Sequence, residues 1–237
     1  MLDAVAANAV SNLDLSKVVL AIGSLGTAAY GVVDATKGLG GGISNRGFGD
    51  IRKVVSQFIP ASPGDNQPAS ALALPSALAT LRANWLNGTA LADQKSIAKA
   101  LIKLNLTKAN APTMAAATGL DAAVLTSIAG KLTTGETLTP VETDIYGRFD
   151  LLLTAILDQG YQRGDQRYRG SAKLLAVPIA VVLALLGVWA IDGNGLTRME
   201  ALRALLAGLL ATPLAPIAKD VSSAIQAGAK VAQSWRK

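Results

Sequence analysis

The chain contains no cysteine and no histidine among its 237 residues. The first absence excludes disulfides, thiolate metal ligands and cysteine nucleophiles. The second excludes imidazole ligands and the side chain that most often acts as a general base near neutral pH. Asp192, Asn194 and Glu200 resemble half of a calcium loop, but the spacing is one residue short before Glu200, which favours a plain tight turn. No metal and no cofactor is expected.

Charged and aromatic residues are scarce as well. Charged residues make up 16% of the chain and aromatic residues 4%, while 51% are hydrophobic. Soluble domains contain about 25% charged residues, so this shortfall favours lipid as the solvent for part of the chain. Ala and Gly are abundant, and helices rich in small residues pack closely in membranes.

Three apolar runs carry the fold prediction. The longest, 173–190, opens on Lys173 and contains no other ionisable residue before Asp192. At 1.5 Å per helical residue it nearly crosses a hydrocarbon core of about 30 Å. Two weaker runs, 18–33 and 205–218, lie near the ends of the chain. We therefore predict an all-α integral membrane protein with about three transmembrane helices and a small helical polar domain inserted between the first and second.

The positions of glycines, prolines and helix-capping residues predict where the helices begin and end. Glycines in 34–49 are too flexible for a helix interior, whereas Thr139–Glu142 and Thr197–Glu200 are capping boxes that start helices. The domain is expected to be thinly packed, because its apolar side chains are mostly small. The predicted segments are an N-terminal segment (1–16), transmembrane helix 1 (17–33), a Gly/Pro-rich linker (34–74) with an amphipathic helix (50–59), a helical cytoplasmic domain (75–159), a basic juxtamembrane segment (160–172), transmembrane helix 2 (173–191), a turn (192–199), transmembrane helix 3 (200–218) and a basic amphipathic tail (219–237).

A helix-packing face is predicted on the first span. Gly23, Thr27 and Gly31 recur every four residues, which places small side chains on one side of the helix. This face meets either the second span of the same chain or another copy.

Basic residues cluster beside the apolar runs. The segment 160–172 also contains two tyrosines, Tyr161 and Tyr168. Phosphate binding and base stacking on a nucleic acid would use the same residue types, but arginine at lipid headgroups and tyrosine at the membrane interface is the simpler interpretation. We predict anionic lipid and no nucleic acid as partner. The predicted headgroup contacts are Arg163, Arg167, Arg169, Lys173, Arg236 and Lys237.

A row of lysines lies within the predicted polar domain. Lys95, Lys99 and Lys103 are spaced i, i+4, i+8, on one face of a predicted helix. The row is a candidate anion-binding stripe, and its plainer interpretation is a solvated helix face.

The orientation follows from the excess of Lys and Arg over Asp and Glu in 34–173 and in the tail. Such an excess marks cytoplasmic segments. The predicted layout has the N-terminus outside, the polar domain inside, the hairpin turn outside and the tail inside, in a bacterial inner membrane.

Three functions fit these features. The first is a non-catalytic membrane subunit that anchors or scaffolds a complex, with other membrane subunits or copies of itself as partners. The second is an oligomeric pore, in which Gly23, Ser24 and Thr27 line the path. The third is a membrane-tethered enzyme, for which carboxylates on one helix form the candidate acid/base set. These carboxylates are Glu142, Asp144, Asp150 and Asp158.

Overall fold

The structure is a computed structural model that describes residues 15–60, 72–192 and 197–234, with side chains described for 17–60, 72–191 and 197–223. Within these ranges the chain is helical and contains no strand. The helices are α1 (Leu15–Ala35), α2 (Ser44–Val55), α3 (Leu74–Leu86), α4 (Leu91–Leu104), α5 (Ala111–Thr118), α6 (Ala122–Thr134), α7 (Pro140–Asp192) and α8 (Arg198–Ser234), with a short 3₁₀ turn at Thr36–Gly38. An all-α fold is confirmed.

The described residues fall into two compact units. Unit 1 contains the residues up to Gly40 and those from Gly170 onward, and unit 2 contains Gly41–Arg169. Helix α7 contributes its residues 140–169 to unit 2 and its residues 170–192 to unit 1.

Both capping boxes start helices as predicted. At the start of α7, the backbone N–H of Thr139 donates to Glu142 Oε2 (2.8 Å), and the N–H of Glu142 donates to Thr139 Oγ1 (3.3 Å). At the start of α8, Thr197 and Glu200 exchange the same two bonds at 2.9 and 3.3 Å. These bonds satisfy amide groups that a helix start otherwise leaves without partners.

The predicted linker contains a helix, but its bounds differ from the amphipathic helix predicted at 50–59. Helix α2 begins six residues earlier, at Ser44, and ends at Val55. The break before it is confined to the positive-φ glycines Gly40, Gly41 and Gly42. Gly47 lies inside α2, where a Cβ would stand 2.5 Å from the backbone oxygen of Gly164. Glycine is tolerated within this helix because the neighbouring backbone approaches so closely.

The predicted juxtamembrane segment and transmembrane helix 2 are parts of one helix. Helix α7 runs without interruption for 53 residues, through the glycines of 160–170 and through Pro178. Pro178 would lie near the start of the predicted helix 173–191, but in the structure it lies in the interior of α7. Gly160 faces α2, where a Cβ would stand 2.7 Å from Val54 Cγ2. The glycines at 160 and 164 thus serve close helix packing and do not break the helix.

Unit 2 has a core of large side chains, and the prediction of thin packing is wrong. All three phenylalanines of the chain, Phe48, Phe58 and Phe149, are buried in it, together with Trp85 and Tyr161. The Trp85 indole N–H also donates to the backbone oxygen of Ser44 (3.0 Å). The low aromatic content misled the prediction because the few aromatic residues are concentrated in one unit.

Unit 1 is packed in the opposite way. Most of its buried positions are occupied by alanine, and many of its large apolar side chains are exposed. The buried small residues are Ala29, Ala172, Ala176, Ala180, Ala184, Ala204, Ala211, Ala215 and Ala218. The exposed large residues include Leu174, Val182, Leu186, Trp189, Leu202, Leu206, Leu209, Leu210 and Ile217.

Among the residues that the structure describes, three helices are long and apolar enough to cross a membrane: α1, the apolar end of α7, and α8. Between 17 and 33% of the residues in their apolar windows are buried.

The predicted three-span layout requires α1 and α8 to cross the membrane in the same direction, and the structure contradicts this. Gly23 packs against Ala218, whereas Gly26, one turn later, packs against Ala211. Residue numbers therefore rise along α1 as they fall along α8, and the two helices are antiparallel. The sequence could not reveal the direction, because small-residue faces allow either one.

Candidate functional site

The contact between α1 and α8 is formed by backbone atoms and small side chains. A Cβ at Gly26 would overlap the carbonyl oxygen of Ala211, and a Cβ at Gly23 would overlap the side chain of Ala218. Only glycine allows this approach at either position. Ala29 and Val33 continue the buried face toward the end of α1.

The predicted packing face is therefore only partly matched. Gly23 lies in the contact, but Thr27 is exposed, and a Cβ at Gly31 would meet nothing within 4 Å. The observed face follows the i, i+3 spacing of Gly23, Gly26 and Ala29. Gly26 does not belong to the four-residue repeat of Gly23, Thr27 and Gly31, so that repeat does not reveal it.

A second close approach joins α7 and α8. A Cβ at Gly208 would stand 2.5 Å from Val181 Cα. Val181 lies eleven residues before the end of α7, and Gly208 lies ten residues after the start of α8. This near-equal spacing from a short connection is what a helical hairpin produces.

Beside the α1–α8 contact lies a groove of about 870 Å³. Its polar wall residues are Ser24 and Thr27 of α1 and Lys219, Ser222 and Ser223 of α8. The hydroxyls of Ser24 and Thr27 donate to carbonyl oxygens of their own helix, at 2.8 and 3.1 Å. Such back-bonding satisfies a hydroxyl inside an apolar environment.

The lysine row of unit 2 is paired with carboxylates of α7. Lys95 contacts Asp158 at 2.5 Å, and Asp150 contacts both Lys99 (2.5 Å) and Lys103 (3.0 Å). The hydrogen bond from Lys99, and to a lesser degree the one from Lys103, holds the pKa of the Asp150 carboxyl below its usual value. The lysine row thus joins α4 to α7. It is neither a free anion-binding stripe nor a merely solvated helix face.

Glu142 is the carboxylate of unit 2 whose pKa is shifted most. It accepts hydrogen bonds from Lys131 Nζ (2.7 Å), from the Thr139 backbone N–H (2.8 Å) and from Ser127 Oγ (2.9 Å). Since all three donors favour the ionised form, they lower the pKa of Glu142 to about 2. A carboxylate that stays ionised at neutral pH has no proton to donate as a general acid.

The four carboxylates proposed as an acid/base set do not share one site. Glu142 pairs with Lys131, Asp150 and Asp158 pair with the lysine row, and Asp144 pairs with Arg148 on an exposed face. Each therefore has a cationic partner. The pairs of Glu142, Asp150 and Asp158 join α7 to α6 and α4, whereas the pair of Asp144 lies within α7.

We expect Glu142→Gln to destabilise the full chain in a pH-dependent way. The folded pKa lies below the unfolded one, so the ionised side chain contributes stability above about pH 4.5 and loses it as pH falls toward about 2. Denaturant unfolding in neutral detergent should give a lower free energy of unfolding for the variant than for the wild type at pH 6. This difference should shrink as the pH is lowered toward 2. Asp144→Asn, on the exposed face, is the control, and an equal gap at both pH values for Glu142→Gln would contradict the prediction.

The predicted headgroup contacts have different surroundings. Arg167 Nη1 lies 3.2 Å from Asp50 Oδ1, and Arg169 pairs with Asp165 at 2.7 Å. Arg163 and Lys173 are exposed, and Arg236 and Lys237 lie outside the described residues.

The two tyrosines of this segment are not interface residues of the kind predicted. Tyr161 is 1% exposed in the core of unit 2, and this burial raises its pKa. Tyr168 is half-buried, with its ring edge-to-face against Trp85 at 6.2 Å between centroids. Both lie on the face of α7 that the packing of unit 2 covers.

Among the residues that the structure describes, no group of three or more carboxylates is placed to hold a metal ion. The centre of the turn that resembles half of a calcium loop (193–196) lies outside the described residues. Comparison of the chain with protein-family models, with curated proteins and with solved structures finds no match.

Proposed function

We propose that the chain is a non-catalytic integral membrane subunit that anchors or scaffolds a membrane complex. Unit 1 supplies the anchor, and unit 2 supplies a folded helical domain. The partners that this role implies are anionic lipid headgroups and other membrane subunits or further copies of the chain.

The reversed packing of unit 1 is the observation that supports the anchor. In water, large apolar side chains are driven inward, whereas in lipid they gain nothing by leaving the surface. Leu174 is 73% exposed and Ile217 50% exposed, while Ala176 and Ala211 are fully buried. An apolar exterior around a small-residue interior is stable among acyl chains and aggregation-prone in water.

A scaffolding role agrees with the contents of unit 2. Its core contains large apolar side chains, and three of its carboxylates, Glu142, Asp150 and Asp158, form ion pairs between helices. The excess of basic residues in 34–173 supports a cytoplasmic location for this unit in an inner membrane. Because α1 is antiparallel to α8, we do not retain the three-span layout in which both helices cross in the same direction.

An oligomeric pore is the second candidate, and the groove beside α1 favours it. Ser24 and Thr27 face this groove together with Lys219, so several copies have hydroxyls available to line a path. Gly23 is excluded from such a lining because it is buried against Ala218. Ion conductance of the purified protein in a planar bilayer would favour the pore.

Exposed leucines of the two units provide a matched test of the anchor. Leu186 of unit 1 and Leu151 of unit 2 lie on the same helix and are 53% and 71% exposed. If lipid surrounds unit 1, Leu186→Lys places a charge in the hydrocarbon at a cost of about 2.5–3.5 kcal/mol, whereas Leu151→Lys remains in water. We expect Leu186→Lys to reduce the fraction that resists carbonate extraction from membranes, and Leu151→Lys to leave it unchanged. Recovery of the wild-type chain in the soluble fraction would refute the anchor.

Purification in mild detergent followed by mass measurement tests the scaffold. A complex containing other membrane proteins supports a subunit role. A monomer without partners, under conditions that keep other membrane complexes intact, would contradict it.

A further inference from the structure

We propose that a cleft between α2 and α7 of unit 2 binds the phosphate group of an anionic ligand. This inference depends on unit 2 alone and holds whether or not unit 1 anchors the chain in a membrane. The cleft combines arginines of the predicted juxtamembrane segment with side chains of α2, a helix within the predicted linker.

The cleft has a volume of about 420 Å³. Its charged side chains are Lys53 and Asp50 of α2 and Arg163 and Arg167 of α7. One lysine and two arginines, from parts of the chain more than 100 residues apart, therefore line the same cleft. Three cations face a single carboxylate, so positive charge is in excess.

The single carboxylate orients one of the cations. Arg167 Nη1 lies 3.2 Å from Asp50 Oδ1, and the Asp50 side chain is only 14% exposed. The other oxygen of Asp50, Oδ2, is buried without a hydrogen-bond partner in the structure. A largely buried carboxylate restricts the conformations of the guanidinium that pairs with it. Its own negative charge is stabilised by the cations around it.

The remaining polar groups are mainly donors. Lys53 and Arg163 form no ion pair with any residue of the described ranges, and the amides of Gln57 and Gln159 also line the cleft. Ammonium and guanidinium groups donate and cannot accept, and an amide donates through its nitrogen. Such a lining matches a ligand with several acceptor oxygens and negative charge, which is the chemistry of a phosphate group.

Close backbone packing explains why the cleft is preformed. Gly160, in the wall of the cleft, meets Val54 so closely that a Cβ would stand 2.7 Å from Val54 Cγ2. Gly164, one turn later, meets the backbone of Gly47. The two helices are held together at these glycines, so the backbone positions from which Lys53, Arg163 and Arg167 extend are fixed before a ligand arrives.

Two sources can supply a phosphate group of this kind: a lipid headgroup and a soluble phosphate or phosphate ester. Arg163 and Arg167 lie ten and six residues before Lys173, where the apolar run starts, and this proximity favours the lipid. The proposed site and its residues are the same for both sources.

The test uses full-length protein in neutral detergent and two probes. Phosphatidylglycerol binding is counted by native mass measurement against phosphatidylcholine, and inorganic phosphate binding is measured by calorimetry. Arg163→Gln and Lys53→Gln should each weaken binding of the true ligand class by about tenfold or more, since each removes a charge-assisted contact. Arg148→Gln, the same charge change at an exposed position of the same helix, should have no effect.

Each outcome decides the proposal. Selective retention of phosphatidylglycerol that is lost in both cleft variants supports the site with a lipid ligand. Calorimetric binding of phosphate with the same dependence supports the site with a soluble ligand. Absence of binding by either probe, or equal weakening by Arg148→Gln and the cleft variants, overturns the proposal. Circular dichroism of every variant confirms that the loss of binding is not a loss of fold.

Discussion

Replacing Gly26 by isoleucine is expected to separate α1 from α8 and to lower the thermal midpoint of the detergent-solubilised protein. A Cβ at this position would overlap the carbonyl oxygen of Ala211, which is a backbone atom and cannot rotate away. A single added methylene in a well-packed interior typically costs about 1–3 kcal/mol. A branched side chain against a backbone should cost more, because the whole helix must move.

Gly31→Ile is the matched control for this substitution. Gly31 belongs to the same helix, and a Cβ there would meet nothing within 4 Å. We expect its thermal midpoint to stay near that of the wild type. Equal destabilisation by both variants would indicate that helix propensity, and not the α1–α8 contact, controls the effect.

Replacing Phe149 by alanine is expected to destabilise unit 2 by about 3–5 kcal/mol. The Phe149 side chain is fully buried, and its ring stacks on Tyr146 at 6.4 Å between centroids. The substitution removes an aromatic ring from the core and leaves a cavity that small neighbours cannot fill. Denaturant unfolding can be followed through Trp85, in a background where Trp189 and Trp235 are replaced by phenylalanine.

Leu151→Ala is the control for Phe149→Ala. Leu151 is two residues away on the same helix and is 71% exposed. It should change the free energy of unfolding by less than about 0.5 kcal/mol. A small effect of Phe149→Ala would contradict the assignment of a large-residue core to unit 2.

The two predictions test two modes of packing in one chain. In unit 1, helices approach through glycine and alanine, so adding atoms is destabilising. In unit 2, helices are held by large side chains, so removing atoms is destabilising. Gly26 and Phe149 are the positions where each mode is most sensitive.

Helix starts and apolar runs were predictable from local sequence. Thr139 and Thr197 begin helices because a capping box uses residues only three positions apart. The apolar run from Lys173 was recognisable by its length and its lack of charge, and it is helical in spite of Pro178. The continuity of α7 was not predictable. Glycine is a poor helix former, and only the contact with α2 explains why Gly160 and Gly164 lie within a continuous helix.

The sequence by itself determined the helical class, both capped helix starts, and the presence of three segments long and apolar enough to cross a membrane, because these properties depend on neighbours within a few turns. Only the tertiary structure decided that Gly26 rather than Gly31 meets α8, that α1 and α8 run in opposite directions, and that the lysine row is paired. The physical reason is that periodicity places a residue on a face of its own helix, whereas the partner of that face and its direction depend on contacts between residues far apart in the chain.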